Sequence, residues 1–215
     1  MVFKYIKDNW PKYRFGQPAH ALAVVVVLIG LFYFVQPLVS TNVVNFLHLL
    51  TFATYFGMQF WVTFIAGLTM FHNLPRHMFG SIQSKLFPKY FFIGSISSVV
   101  TMVTFLTVHP LGSMDNTQTK IQFGSLLTSI LCTISNIIVT SIMINYMIER
   151  NVIEKKKGFE NHVGHLDSKH FAGDAKYKEL SSKFLWYHGI SSVLNLVALC
   201  ANMVYLYILS SKLNM

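Results

Sequence analysis

The chain has 215 residues, 53% of them hydrophobic, 15% aromatic and only 12% charged, a balance too apolar for a soluble domain of this size. The formal net charge of +9 does not point to nucleic acid, because nucleic-acid binders carry their basic residues on an extensive polar surface that this chain lacks. A multi-pass membrane protein with its basic residues gathered on one side accounts for both facts.

In chain order, residues 1–20 are polar and basic and lead into Ala21 to Val39, nineteen residues without a charge. A secretory signal core is ~7–15 residues, so this run predicts a retained first helix. It is apolar all round, which places it at the periphery of a bundle. The second predicted span is Val43 to Phe71, longer at ~1.5 Å per residue than a ~30 Å hydrocarbon core and therefore tilted or interfacial in its first turn. A basic loop, His72 to Lys89, follows, with Pro75 and Pro88 marking helix boundaries at Leu74 and Phe87. Tyr90 to Val108, Ile121 to Ile148 and Phe184 to Ser210 are the third, fourth and fifth spans. Asp174 is a candidate N-cap for a helix that begins near Ala175 and runs into the last span. Trp186 and Tyr187 suit an interfacial belt.

The distribution of Lys and Arg tests this arrangement. Fifteen of the 17 fall in residues 1–20, 72–89 and 149–183, and the other two are Lys120 and Lys212. The positive-inside rule then puts the N-terminus and the 149–183 loop in the cytosol and the C-terminus in the lumen or outside the cell, in an endoplasmic reticulum or plasma membrane. The expected architecture is an all-α bundle of about five transmembrane helices: a tail and extra helix over 1–42, and a four-helix domain over 43–215.

Two blocks carry a family resemblance. GMQFWVTF (57–64), LPRH (74–77) and QSKLFPKYF (83–91) form the first; Tyr187, His188, Gly189, Ser191, Ser192, Leu194 and Asn195 form the second. Together they resemble the transmembrane protein 205 family over most of residues 48–210. The resemblance implies a four-helix membrane domain and makes relevant that family's association with resistance to platinum drugs. Residues 1–40 and the loop around His165 depart from the pattern.

The predicted spans contain no Asp, Glu, Lys or Arg, although proton-coupled transporters commonly hold an ionisable residue at membrane depth. They carry neutral polarity at helical spacing instead: Gly94, Ser97, Thr101 and Thr104; Ser125, Ser129, Cys132, Asn136 and Thr140; His188, Ser192, Asn195 and Asn202. Such stripes are either packing seams with hydrogen bonds between helices or the lining of a hydrated or head-group groove. Gln59 is expected to bond across the bundle, and His48 and His188 to be hydrogen-bonded structural histidines. The bundle's polar face is thus Gln59, Thr101, Ser129, Asn136, His188, Ser192 and Asn195.

Arg76, His77, Lys85 and Lys89 form a basic set that either meets lipid head groups or builds a folded elbow. In the elbow, Arg76 bonds a lipid phosphate or the carbonyls ending the second helix. His162, His165, Asp167 and His170 are spaced like metal ligands but share their stretch with three glycines and no scaffold, so no metal and no cofactor is expected. Cys132 and Cys200 fall in apolar runs and indicate no disulfide framework. No catalytic motif appears. The function expected is a non-enzymatic accessory or scaffold subunit in a hetero-complex with other integral membrane proteins and membrane lipids, with lipid handling as a task. Export or permeation of a small molecule or soft metal is the alternative, for which the sequence offers only Met143 with Met147 as a thioether pair.

Overall fold

A computed structural model describes residues 40–212 together with residues 23, 26, 27 and 30. The predicted first span, over 21–39, thus lies outside the described residues except for those four positions, which are helical. The described residues hold four helical stretches long and apolar enough to cross a membrane: Thr41–Asn73, Arg76–Val108, Thr117–Lys156 and Ala175–Ser210.

The first stretch is compound. Helix α1 (Thr41–Trp61) passes into a π-helical turn, Val62–Ala66, and then into the short helix α2 (Gly67–Asn73). Gly67 closes the turn, where a side-chain Cβ would stand 3.0 Å from the Val62 carbonyl oxygen. The chain breaks at Leu74, which is extended (φ −107°, ψ 145°) ahead of Pro75, and restarts as α3 (Arg76–Val108). Proline disfavours helix in the residue before it, which accounts for the break.

Pro88 does not end a helix. It lies inside α3, so the predicted loop His72–Lys89 is in fact the end of α2, a two-residue break and more than three turns of α3. The lost backbone hydrogen bond is outweighed by packing around it: Phe87 touches the cluster of Tyr90, Phe91 and Ile137 on one side and that of Met143, Ile144 and Met147 on the other.

Helix α4 (Thr117–Lys156) is capped by Asn116, whose side chain accepts from the Gln118 N–H at 2.8 Å. Helix α5 (Ala175–Ser210) is capped by Asp174, which accepts from the Tyr177 N–H at 2.9 Å. At ~1.5 Å per residue α4 is about 60 Å long, twice the hydrocarbon thickness, so its ends project. The start of α3, the end of α4 and the start of α5 project together and form a basic end of the bundle. Helix α4 packs along both α3 and α5, and α1 lies against α3. The α1–α3 approach is close: a Cβ on Gly94 would come within 2.6 Å of the Tyr55 ring.

The segment between α4 and α5 has a scaffold of its own. Leu166, the fully buried Phe171 and Tyr177 pack with Ile153 and Phe159. Gly158 and Gly164 adopt left-handed φ of 80° and 77°, a conformation glycine takes without steric cost. Pro75 pairs with Val163 as an antiparallel bridge, and the Arg76 N–H donates to the His162 carbonyl at 2.7 Å. The break between α2 and α3 is thereby fastened to this segment.

Candidate functional site: a groove with a basic mouth

The basic end is organised by Glu154. Its carboxylate is fully buried and sits one turn after Arg150 on the projecting part of α4, beyond the charge-free stretch. Oε2 accepts from Arg76 Nε at 3.0 Å and lies 3.2 Å from His77 Nε2; Oε1 accepts from the Tyr177 hydroxyl at 3.0 Å. Arg150 Nε stands 3.3 Å from Oε1, within ion-pair distance but without the direction of a hydrogen bond, and its guanidinium lies 4.1 Å over the Phe184 ring. One carboxylate thus ties together the first turn of α3, the end of α4 and the first turn of α5. Arg76 Nη1 also reaches the Gly164 carbonyl at 3.5 Å.

This corrects the expected elbow in its partners. Arg76 bonds Glu154 and the α4–α5 segment, not the carbonyls that end α2. His77 joins the same carboxylate, whereas Lys85 and Lys89 stand exposed further along α3 and take no part in the cluster. Their stems can run along apolar surface while the ammonium groups reach the interface.

Inside the bundle the polar groups are neutral and most bond one another, although Ser129 Oγ and Asn136 Oδ1 have no partner. Gln59, with no exposed surface, donates to the Asn195 carbonyl at 3.1 Å and accepts from Asn202 Nδ2 at 2.9 Å. Asn195 donates to Thr63 Oγ1 at 2.8 Å and accepts from the Tyr90 hydroxyl at 2.9 Å. Thr63 lies in the π-helical turn, which explains what that turn does: its extra residue brings a hydroxyl to face α5. Thr101 bonds Thr51 at 2.9 Å, and His48 lies between Thr104 (2.8 Å) and Tyr205 (2.6 Å).

On the α4–α5 seam Asn136 donates to the Ser191 carbonyl at 3.3 Å, and Thr140 meets the Ser191 hydroxyl at 3.4 Å. Thr101, Ser129 and Asn136 are each 1% exposed. The α5 stripe departs from the expected one: Ser191 is buried in the seam, Ser192 is half-buried beside it, and His188 is exposed and stacked on Phe184.

Between α2, α3 and α5, with α4 behind, runs a groove of about 580 Å³. Its mouth is polar, formed by Arg76, Arg150, His165 and Tyr177; its wall is apolar, with Phe71, Phe79, Phe87 and Phe184; and Thr63, Tyr90 and Asn195 close its far end. Of the residues singled out from the sequence, Arg76, Met147, His165, His188, Ser192 and Asn195 line it. Gln59, Thr101, Ser129 and Asn136 are not among its lining residues. Leu68, Leu185 and Leu196, on its rim, are 54%, 62% and 43% exposed, so it opens sideways at the level of the spans.

Among the described residues no three His, Cys, Asp or Glu side chains converge as metal ligands. The His162 ring bonds the His165 carbonyl at 2.7 Å, and the His170 ring lies tilted against Phe159.

Four apolar helical spans among the described residues, around a side-opening groove, define a multi-pass helical membrane protein. Residues 50–151 match a domain of unknown function, DUF4149. The chain is 33% identical over 176 residues to transmembrane protein 205 of Danio rerio, a match covering 77% of this chain and 93% of the relative. It belongs to the transmembrane protein 205 family. No solved structure matches it.

Proposed function

We propose that the protein is a non-enzymatic accessory subunit of a larger membrane assembly and that it handles membrane lipid. The observation that carries this reading is the groove, which joins a basic mouth on the projecting end to an apolar wall open to the bilayer. A pocket of a few hundred cubic ångströms, mostly apolar with a few convergent polar groups, is the common form of a ligand site (~300–1,000 Å³). The concentration of Lys and Arg at the same end supports a cytosolic mouth, a cytosolic N-terminus and a C-terminus in the lumen or outside the cell. Export of a soft metal draws no comparable support: Met143 and Met147, the thioether pair, pack in an apolar cluster with Ile144, and of the two only Met147 lines the groove.

Gentle detergent extraction, native electrophoresis and analysis of the co-purifying protein and lipid test the reading. Migration with other integral membrane proteins and retained lipid is the expected result. A lone, lipid-free chain under every extraction condition overturns it. A tag inserted beside Lys156 is expected to be digested by protease in intact, sealed microsomes; its protection would reverse the orientation.

A further inference from the structure

The groove's two ends differ in what they leave unsatisfied. At the far end the polar groups are consumed by one another, since Asn195 bonds both Thr63 and Tyr90. Near the mouth, Gln83 and Arg150 are only 5% and 6% exposed, yet Gln83 Oε1 and Arg150 Nε have no hydrogen-bond partner, and neither have Asn151 Oδ1 and Ser181 Oγ. All four residues line the groove, and the Ser181 hydroxyl can serve a ligand as donor or acceptor. A buried polar atom without a partner carries a desolvation penalty that a ligand atom of the opposite kind removes. The charges are also unbalanced: Arg76 and Arg150 face the single carboxylate of Glu154, and the other ionisable groups around the mouth are His77, His165, Tyr177 and His188, which like Arg150 lies against the Phe184 ring. One positive charge is left for a ligand.

A group that answers an unpartnered guanidinium N–H and two unpartnered amide oxygens is an anion that also carries donors. The apolar wall and the exposed Leu68, Leu185 and Leu196 require that anion to bear a chain that can pass sideways into the bilayer. The geometry points to an anionic phospholipid whose head group also offers hydroxyl or ammonium donors, its phosphate against Arg150 and Arg76, one acyl chain in the groove and the other in the bilayer beyond the Leu68–Leu185 rim. This rests on the lipid-handling reading above and names the lipid.

Native mass spectrometry of the full chain, delipidated and offered equimolar phosphatidylserine, phosphatidylglycerol and phosphatidylcholine, tests it. Occupancy by the two anionic lipids is expected to exceed that by phosphatidylcholine about tenfold. Gln83→Met, which keeps the side-chain size and removes the acceptor, is expected to lower the preference several-fold with the thermal unfolding midpoint unchanged. Arg150→Gln lowers it further; should that variant fail to fold, Gln83→Met alone carries the test. Equal occupancy by all three lipids overturns the inference, as does a preference that survives Gln83→Met. Soluble glycerophosphate or phosphoserine binding as tightly as the lipids would show that the chain contributes nothing and also overturns it. Retained lipid without head-group preference leaves the lipid-handling reading standing, whereas no retained lipid of any kind removes both.

Discussion

The projecting end and the membrane interior of this bundle are both held by polar contacts across helices, yet they use different chemistry. At the end, a buried carboxylate gathers two guanidiniums, an imidazole and a phenol from three helices. In the interior, Gln59, Asn195, Asn202, Thr63 and Tyr90 bond one another with no charge among them. The difference follows from the cost of an error. An ionised group that loses its partner in hydrocarbon has no water to turn to, whereas a neutral amide loses one hydrogen bond. Near the interface the same ionised group is affordable, and in exchange it fixes geometry: the Glu154 cluster holds the break before α3, the α4–α5 segment and the groove's mouth in one arrangement.

If that contrast is right, single substitutions rank accordingly. The largest effect is expected from Glu154→Gln, which leaves Arg76 and Arg150 facing each other in a buried site; breaking such a pair costs about 3–5 kcal/mol. Thermal unfolding in detergent should show a marked drop, and a midpoint near wild type would mean the cluster is solvated and dispensable. Next comes Gly94→Ala, an interior change without any polar component. Its Cβ meets the Tyr55 ring at 2.6 Å, and overpacking of this kind costs about 1–3 kcal/mol. It serves as a control that the interior is tightly packed as well as hydrogen-bonded.

Arg76→Lys keeps the charge and removes the planar fork that reaches both Glu154 and Gly164. A loss of about 1–2 kcal/mol is expected, on the scale of hydrogen bonds to charged groups, with impaired assembly and unchanged topology in protease-protection assays. Wild-type stability and co-purification in that variant would reduce Arg76 to a topological charge. Smallest of all is the interior coupling. A double-mutant cycle of Gln59→Leu and Asn202→Leu should return about 0.6 kcal/mol, the average for hydrogen bonds between membrane helices. A coupling as large as that expected at Glu154 would erase the distinction between the two regions.

The two regions were also unequally legible in the sequence. Hydropathy and helical spacing identify the long spans, and they mark Thr101, Ser129 and Asn136 as positions on inward faces, because burial in a bundle follows a local period. The cap at Asp174 and the boundary at Leu74 are equally local signals. Glu154 is different. In sequence it is one charge among Arg150, Lys155 and Lys156 at the end of a helix, a setting that ordinarily faces water, and its partner Arg76 lies 78 residues away. Pro88 failed as a boundary for a related reason: the packing of Phe87 on both sides is tertiary and has no local signature. The π-helical turn and the exchange of Ser192 for Ser191 each shift a face by about one residue, finer than a periodicity of 3.6 resolves.

Hydrogen exchange on the full chain in nanodiscs, comparing wild type with Glu154→Gln, tests most directly the claim that one carboxylate closes the basic end. Loss of protection confined to the Arg76 amide and to residues 159–177, with the Gln59 and Asn202 regions unchanged, is the predicted result. Equal protection of the α4–α5 segment in both proteins would contradict it.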